Sequence, residues 1–417
     1  MPRYYIEGGK RLEGEIDLQG AKNSVLPILA ATLLIDGVSV LHRCPELTDV
    51  YAAIHILNHL GCKCSFFNNT ITVNASNVSC NSIPEKLMHE MRSSIVFLGA
   101  ILSRCGRCSV TAPGGCELGP RPIDLHLKSL KKLGYKVSEL CGSISCVSNN
   151  APGNVEIDLD FPSVGATENI LLASAVSGSV VTLRNAAKEP EIVDLVDFLN
   201  KAGADISGAG TDCIVVRGVK KLCTVEHTII ADRIVAATYM SAAAITGGSV
   251  ILKGACADHM HSICNAFAEM GCTVCSNRDT LTLTSNKQLV RLKTLRSLVY
   301  PGFPTDAGPL LLTTLTRAEG TSLFIETIFE SRFNYVGELR KLGADIKLHN
   351  RVAVVEGVKE LHSATLYCTD LRGGAALMIG ALAAQGCSVI DRIYHVERGY
   401  ENIVENLTAL GACIRKG

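Results

Sequence analysis

The sequence predicts an α/β fold of six βαβαββ repeats, arranged as two domains of three repeats each. Three observations support this prediction: a glycine motif that recurs six times, its constant spacing, and the same order of helix and strand patterns in each copy. The chain has 417 residues, of which 47% are hydrophobic and 19% are charged. At about 150 residues per domain, this length suits two or three domains with large apolar cores.

The recurring motif is apolar-Gly-x-x-apolar, as in the segment LGCKC at residues 60–64. Its glycines lie 73, 69, 68, 72 and 68 residues apart, so six copies account for nearly the whole chain. A second glycine recurs in step with the first, and a repeat at constant spacing predicts one structural unit per copy. The two series are Gly61, Gly134, Gly203, Gly271, Gly343 and Gly411, and Gly37, Gly106, Gly178, Gly247, Gly320 and Gly386.

Within one repeat, an apolar helix comes first, as at residues 25–34 and 375–384. The second glycine is expected to end that helix, because glycine tolerates the positive φ of a C-terminal cap. A strand follows, as at residues 37–41, and then an amphipathic helix such as residues 48–60. The motif glycine ends this helix, and a hairpin with a turn such as Asn68-Asn69 completes the βαβαββ unit.

The last copy is cut short, because the sequence stops at Gly417, soon after Ile414. The strand patterns at residues 4–7 and 13–19 are the obvious pieces to complete it. We therefore expect residues 22–229 to form one domain, and residues 1–21 and 230–417 to form the other. Two short crossings would suit hinge closure over a cleft between the domains.

Composition argues against several classes of protein. The 40 basic and 40 acidic residues balance, whereas a nucleic-acid-binding protein needs a basic excess. The start MPRYYIEGGK lacks the apolar core of a secretory signal, and no apolar run is long enough to span a membrane. The 18 cysteines are therefore expected to be reduced thiols of a cytoplasmic protein. We expect neither nucleic-acid nor membrane partners.

Charged residues gather where the first helix of a repeat is predicted to begin. A helix N-terminus is an anion site, and a basic residue there opposes the helix dipole unless an anion compensates it. The alternative is that each is a solvated residue at a surface helix cap. These residues are Lys22, Arg92, Arg233, Asp306, Asp370 and Arg372. The residue beside Lys22, Asn23, suits either a cap or a polar ligand contact.

The segment PGGCELGPRP at residues 113–122 predicts a loop, since it holds three glycines and three prolines. Its Cys116 is either an inert loop thiol or a functional one whose pKa Arg121 lowers and Glu117 raises. Asp306 is either a helix N-cap or a general base in a cleft. Arg332 and Arg398 are surface arginines unless they converge on one anion.

No metal or cofactor is expected. The single CxxC at residues 105–108 spans a predicted helix-to-strand glycine, which favours core thiols over a zinc site. His259 and His261, with Cys264, lie on a predicted amphipathic helix and are weak candidates for metal ligands. The sequence contains no Walker loop, HExxH or GxSxG motif.

Six segments together resemble the enolpyruvyl transferase family, and the resemblance covers the whole chain. PGGCxxGxRPxDLH is the most specific of their patterns. The segments are GAKN at 20–23, PGGCELGPRPIDLH at 113–126, SVGAT at 163–167, ETIFESRF at 326–333, TDLR at 369–372 and DRIYH at 391–395. The resemblance implies two inside-out α/β barrels of three βαβαββ repeats each. It also implies transfer of the enolpyruvyl group of phosphoenolpyruvate to the 3-hydroxyl of UDP-N-acetylglucosamine, an early step towards peptidoglycan.

The resemblance also implies roles for individual residues. Cys116 matches a loop thiol that protonates the substrate methylene, and Asp306 matches the carboxylate that accepts the sugar hydroxyl proton. Lys22 and Asn23 match phosphoenolpyruvate contacts, and Lys22 is also expected to serve catalysis. Arg121 and Arg398 match groups near the phosphate, Arg398 also serving catalysis, whereas Arg332 and Arg372 match groups near the carboxylate. The remaining matches are substrate-binding positions: Arg92, Arg121, Pro122, Ile123, Asp124, Leu125, Ser163, Val164, Gly165, Ile328 and Asp370.

One position departs from the family pattern. Some members carry a lysine two residues before the SVG motif, where this chain has Phe161. Any substrate contact from that lysine must be absent or come from elsewhere. Three other functions stay open: a shikimate 3-phosphate acceptor, a UDP-sugar-binding regulator without activity, and a thiol redox sensor. The sequence leaves the oligomeric state undetermined.

Overall fold

A computed structural model describes residues 2–112, 122–149, 153–285 and 288–417. Within these ranges the chain divides into two compact units. One, here called the middle unit, runs from residue 20 to residue 230, and the other, the terminal unit, combines residues up to 19 with those from 231 onward. Each unit has its own hydrophobic core.

The N-terminal strand β1 spans Tyr4–Glu7. The first repeat consists of β2 (Glu13–Asp17), α1 (Lys22–Ala31), β3 (Val38–His42), α2 (Thr48–His59), β4 (Lys63–Phe67) and β5 (Thr70–Asn74). The second consists of β6 (Ser82–Ile83), α3 (Glu85–Glu90), α4 (Phe97–Cys105), β7 (Arg107–Thr111), α5 (Asp124–Lys132), β8 (Tyr135–Leu140) and β9 (Ser143–Ser148). The third consists of β10 (Val155–Asp158), α6 (Val164–Ser174), β11 (Val180–Arg184), α7 (Pro190–Lys201), β12 (Asp205–Ser207) and β13 (Cys213–Arg217).

The fourth repeat consists of β14 (Val225–Thr228), α8 (Arg233–Thr246), β15 (Ser249–Lys253), α9 (His261–Glu269), β16 (Thr273–Asn277) and β17 (Thr280–Thr284). The fifth consists of β18 (Thr294–Arg296), α10 (Gly308–Leu315), β19 (Thr321–Ile325), α11 (Val336–Lys341), β20 (Asp345–His349) and β21 (Val352–Glu356). The sixth consists of β22 (Leu361–His362), β23 (Thr365–Tyr367), α12 (Leu371–Ala383), β24 (Ala384–Gln385), β25 (Cys387–Asp391), α13 (Tyr394–Glu397), α14 (Ile403–Ala409) and β26 (Cys413–Lys416). The described ranges also contain four 3₁₀ helices: Thr32–Leu34, Arg92–Val96, Ala257–His259 and Thr305–Ala307.

The described strands form six four-stranded sheets of one topology, three in each unit, and a small two-stranded sheet. In each four-stranded sheet one parallel pair adjoins two antiparallel pairs, as in β14-β3-β5-β4. The sixth sheet has the order β23-β25-β1-β26, so strand β1 takes the place of the strand that the last repeat lacks. Strand β2 instead joins the sheet of the fourth repeat by pairing with β15, so the prediction that residues 13–19 complete the last repeat is wrong. These pairings join the N-terminal strands to the C-terminal half of the chain.

The sheets surround buried helices in each unit. In the terminal unit α8, α10 and α12 pack against one another, and every residue of α10 is buried. In the middle unit α4 packs against both α1 and α6. The strands bury alternate residues, as β17 does with Leu281 and Leu283, because one sheet face covers the helices. The predicted inside-out α/β fold of βαβαββ repeats is therefore confirmed.

All twelve repeated glycines have positive φ, from 69° at Gly106 to 149° at Gly37. The recurring glycines therefore mark positions with a positive φ, a backbone conformation that costs free energy for residues with a Cβ. The predicted helix cap is correct for Gly106 and Gly247, which directly follow α4 and α8 in the left-handed region. At Gly37 it is wrong, because α1 ends at Ala31 and a 3₁₀ turn intervenes. It is also wrong at Gly178, Gly320 and Gly386, because α6, α10 and α12 end several residues earlier.

Other local predictions can be compared with the structure. The Asn68-Asn69 turn is confirmed, with φ of 47° and 54° between β4 and β5. The predicted strand at residues 13–19 is shorter, ending at Asp17. The single helix predicted for His259 and His261 is wrong, because His259 ends a 3₁₀ helix and His261 begins α9.

Candidate functional site

In the terminal unit, three of the predicted site residues meet at one carboxylate. Arg332 Nη2 contacts Asp306 Oδ1, and Arg372 Nε lies 3.4 Å from Asp306 Oδ2. The side chains of both arginines are almost completely buried, 1% and 3% exposed, whereas that of Asp306 is 29% exposed. The partly exposed Asp306 carboxylate therefore lies between two guanidinium groups that are almost completely shielded from water.

The polypeptide near Asp306 is held by a second acid, Glu326. Arg332 Nε donates to Thr305 O at 3.1 Å, and Thr305 Oγ1 donates to Glu326 Oε2 at 2.8 Å. The other oxygen of Glu326 accepts the backbone N–H groups of Ile328 and Phe329, at 2.7 and 3.1 Å. This buried carboxylate thus fixes both the turn that precedes α10 and the loop that carries Ile328 and Arg332.

Arg372 projects from the first turn of α12, whose N-cap is Asp370. Asp370 Oδ1 accepts from the N–H groups of Arg372 and Gly373, each at 3.0 Å. The Arg372 guanidinium lies 5.5 Å from the centre of the Tyr400 ring. Its Nε faces only Asp306 Oδ2, and its Nη1 is buried without a hydrogen-bond partner among the described residues. Burial acts against its charge, but Tyr400 and Asp306 outweigh burial and raise the pKa of Arg372. An incoming anion would find an unused donor here.

The structure contradicts the cap role for Asp306 and the surface role for Arg332. Asp306 is not a helix N-cap, because the 3₁₀ helix that contains it is preceded by Pro304 and has no side-chain cap. Arg332 is not a surface arginine, because it is only 1% exposed. Arg398 is half-buried directly after α13, two residues before Tyr400.

In the middle unit, Lys22 begins α1 and Asn23 is exposed beside it. The helix has no side-chain cap and no acidic residue in its first turn. Lys22 Nζ lies 3.0 Å from Asp49 Oδ2, and the Asp49 side chain is 3% exposed. Asp49 is therefore one anion that offsets the cost of a basic residue at a helix N-terminus.

A second group in the middle unit brings together predicted substrate-binding positions of α5 and α6. Ser163 caps α6 by accepting the Ala166 N–H at 3.3 Å, and Val164 and Gly165 open that helix. A Cβ built on Gly165 would lie 3.1 Å from the ring of His126, on the facing helix. Charges of Asp124 and Arg92 both act on this imidazole. Pro122 and Asp124 are exposed, and Ile123 and Leu125 half-buried.

The protonation of His126 follows from its neighbour Asn169. Asn169 Oδ1 accepts the Gly99 N–H at 2.7 Å, so its amide nitrogen must face His126 Nδ1, 2.8 Å away. The amide donates to Nδ1, and the neutral ring carries its proton on Nε2. Burial lowers the pKa of His126 to about 4. The charge of Asp124 opposes this shift, and the charge of Arg92 adds to it. The neutral His126 ring thus places its Nε2–H, a hydrogen-bond donor, beside the N-terminus of α6.

This buried histidine predicts loss of stability in acid. The unfolded chain binds a proton near pH 6.5 and the folded chain only near pH 4, so the stabilisation is complete above pH 6.5 and is lost as the pH falls towards 4. The free energy of unfolding should lose about 3 kcal/mol from this group. Chemical denaturation from pH 7 to pH 4 measures it. His126→Asn keeps an acceptor for Asn169 and should reduce the slope; an unchanged slope would contradict the assignment.

Cys116 and Arg121 lie outside the described residues. Phe161, at the position that departs from the family pattern, is 45% exposed. Among the described residues, no group of three or more His, Cys, Asp or Glu side chains is arranged to hold a metal ion. In the same ranges, no helix combines the length and hydropathy that crossing a membrane requires.

Four residues of these clusters were not predicted: Asp49, His126, Asn169 and Glu326. Asp49 and Asn169 carry no local signal, since an acid in a first helical turn and a polar residue within a helix are both common. His126 and Glu326 lie inside two of the segments that resemble the family, so the segment boundaries were a usable signal.

A family model and full-length relatives match this chain. The family model described as EPSP synthase (3-phosphoshikimate 1-carboxyvinyltransferase) matches residues 6–407. A UDP-N-acetylglucosamine 1-carboxyvinyltransferase 2 of Caldanaerobacter subterraneus subsp. tengcongensis is 50% identical over 414 residues, covering 99% of both chains. A UDP-N-acetylglucosamine 1-carboxyvinyltransferase 1 of Symbiobacterium thermophilum is 45% identical over 419 residues, covering 99% of this chain and 95% of the relative.

Solved structures give the same fold. The enolpyruvyl transferase NikO from Streptomyces tendae is 27% identical, with a TM-score of 0.90 over 100% of this chain and 98% of that one. An EPSP synthase from Acinetobacter baumannii is 18% identical, with a TM-score of 0.77 over 100% of both chains. The second similarity supports the fold alone.

Proposed function

Because this chain belongs to the EPSP synthase family of enolpyruvyl transferases, we propose that it transfers the enolpyruvyl group of phosphoenolpyruvate to the 3-hydroxyl of UDP-N-acetylglucosamine and releases phosphate. The full-length relatives at 45% and 50% identity, both UDP-N-acetylglucosamine 1-carboxyvinyltransferases, support this acceptor. The reaction belongs to peptidoglycan precursor synthesis. It needs no cofactor, because proton transfers and anion binding suffice.

The observation that supports the proposal most is the pairing of Asp306 with Arg332 and Arg372. The resemblance assigns Asp306 to the sugar hydroxyl and the two arginines to a substrate carboxylate. In the structure both arginines contact Asp306. The reaction at C2 of phosphoenolpyruvate needs a base for the sugar hydroxyl proton. It also needs cations that bind the carboxylate next to C2, and this cluster supplies both.

The proposed reaction has two steps. In the addition, the sugar 3-oxygen bonds to C2 of phosphoenolpyruvate, its proton passes to Asp306, and the Cys116 thiol protonates C3. This step gives a tetrahedral ketal. In the elimination, C3 returns a proton to the Cys116 thiolate and the bond from C2 to the phosphate oxygen breaks. Inorganic phosphate leaves with the electron pair and takes up the proton held by Asp306. The product is an enolpyruvyl ether, so atoms and charges balance.

We propose that substrate binding prepares Asp306 to act as a base. Both of its oxygens now face guanidinium groups, and a base must present an oxygen to the incoming hydroxyl. A substrate carboxylate would compete for the same arginines, and Arg372 Nη1 has no other hydrogen-bond partner among the described residues. Binding of phosphoenolpyruvate would then leave an Asp306 oxygen open to the sugar hydroxyl.

The other predicted residues share the work of binding. Phosphoenolpyruvate carries about three negative charges, which suits Lys22, Asn23, Arg121 and Arg398 as contacts besides the two buried arginines. The UDP-sugar is assigned to the α5 and α6 cluster and to Ile328. The proposed UDP-sugar contacts are Arg92, Arg121, Pro122, Ile123, Asp124, Leu125, Ser163, Val164, Gly165 and Ile328. Asp370 is proposed as a further substrate-binding position.

Phosphate release tests the function directly. The protein is assayed with phosphoenolpyruvate alone, with each acceptor alone, and with phosphoenolpyruvate plus either UDP-N-acetylglucosamine or shikimate 3-phosphate. We expect release only with phosphoenolpyruvate and UDP-N-acetylglucosamine together. Release with shikimate 3-phosphate would support the other acceptor, and no release with either would reject an enolpyruvyl transferase. Tight UDP-sugar binding without turnover would support a regulator.

The proposed partners are these two small molecules, and the proposed compartment is the cytoplasm. The described cysteines are all unpaired thiols, which accords with a reducing compartment. Membrane and nucleic-acid partners are not part of the proposal.

A further inference from the structure

A buried carboxylate on α7, Asp194, collects three hydrogen bonds within the middle unit. Ser24 Oγ and the Ile230 N–H donate to Oδ2, the latter at 3.3 Å. His227 Nε2 lies 2.9 Å from Oδ1. Asp194 and His227 are each 4% exposed, and Ser24 is fully buried. Removing a carboxylate from water is costly, so such a group is retained where several donors compensate it.

The orientation of His227 is determined by its neighbours. Lys201 Nζ lies 3.1 Å from His227 Nδ1. An ammonium group can only donate, so Nδ1 accepts and the proton on Nε2 faces Asp194. The Phe198 ring meets the imidazole edge-on, with centroids 5.8 Å apart. The carboxylate is thus held from α7 and β14 and presents Oδ2 towards α1.

Ser24 is the third residue of α1, directly after Lys22 and Asn23. The first turn of this helix has no side-chain cap of its own. It is held instead by the bond from Ser24 to Asp194 and by the bond from the Ala21 N–H to Ile230 O, at 2.7 Å. Helix α1 also packs along α7. The direction of the first turn therefore depends on contacts made by Asp194 and its neighbour Ile230.

We infer that Asp194 is a positioning residue for phosphoenolpyruvate binding: through Ser24 it fixes the first turn of α1, and with it the orientation of Lys22 and Asn23. The inference rests on the proposed function, in which these two side chains contact phosphoenolpyruvate. Asp194 itself touches no substrate. A small rotation of the turn would displace both contacts together, and contacts to a small anion depend steeply on geometry.

Ser24→Ala and Thr32→Ala form a matched pair that tests this. Both remove a buried hydroxyl hydrogen bond at α1, since Thr32 Oγ1 donates to Leu29 O at 2.6 Å at the other end of the helix. Both should lower Tm similarly. Only Ser24→Ala should raise the KM for phosphoenolpyruvate, by roughly tenfold, while kcat and the KM for UDP-N-acetylglucosamine change by less than about twofold.

Asp194→Ala and the double variant complete the experiment. Because Asp194→Ala and Ser24→Ala remove the same contact, Ser24→Ala should add little to the KM change of Asp194→Ala. Equal KM values for phosphoenolpyruvate in Ser24→Ala and Thr32→Ala would overturn the inference, and so would additive effects in the double variant. In either case, turnover by the wild type would still support the proposed function. Absence of phosphate release in the wild type would instead overturn the proposed function and with it the premise of the inference.

Discussion

Asp306→Ala is expected to lower kcat by about 10²- to 10⁴-fold, the usual contribution of a general base, with a much smaller effect on KM. The physical reason is that no other acid in the cluster can take the hydroxyl proton: Asp370 is engaged in capping α12, and Glu326 binds Thr305 and two backbone N–H groups. Steady-state kinetics with each substrate varied in turn measures the effect.

Loss of Asp306 also leaves Arg332 and Arg372 without their carboxylate, and a broken buried pair destabilises a fold. Asp306→Asn keeps the shape of the side chain, and its Tm separates loss of folding from loss of chemistry. Asp391→Asn is the matched control. Asp391 is a buried carboxylate of the same unit that pairs with Arg3 at 3.0 Å and accepts the Arg392 N–H at 2.7 Å, and asparagine loses the charge but can keep the second contact. A defect confined to KM in Asp306→Asn would reject the base role.

Cys116→Ser is expected to reduce turnover to below about 1% of wild type while UDP-sugar binding persists. A serine hydroxyl is a far weaker acid than a thiol, so it cannot supply the proton that C3 of phosphoenolpyruvate requires. Phosphate release measures the first quantity, and calorimetric titration with UDP-N-acetylglucosamine measures the second. Since Cys116 lies outside the described residues, this prediction rests on the loop sequence and the family resemblance.

Cys223→Ser is a suitable control, because Cys223 is an exposed thiol of the middle unit that no proposed step uses. It should keep wild-type kcat and KM. Thiol labelling after mild oxidation addresses the redox alternative: reaction at Cys116 alone accords with the proposed role, whereas oxidation of other cysteines with a change in activity would favour a sensor. A Cys116→Ser variant that kept most of its activity would exclude the thiol as the acid.

Part of the site was predictable, because its residues lie in recognisable segments. The sequence predicts Asp306, Arg332 and Arg372 as site residues, but it leaves a cap role open for Asp306 and a surface role open for both arginines. The contact between Asp306 and Arg372 joins residues 66 positions apart and depends on α10 packing beside α12. Asp49 and Asp194 were not predicted, because their partners lie 27 and 170 residues away.

The sequence by itself determined the six repeats, their βαβαββ order and the N-terminal strand β1 that completes the last one. The physical reason is local: glycines with positive φ and alternating or helical apolar patterns report backbone conformation at the residue that carries them. Only the tertiary structure decided which charged groups meet. A buried arginine or aspartate is stable only beside its partners, and the packing of the helices inside each unit selects those partners.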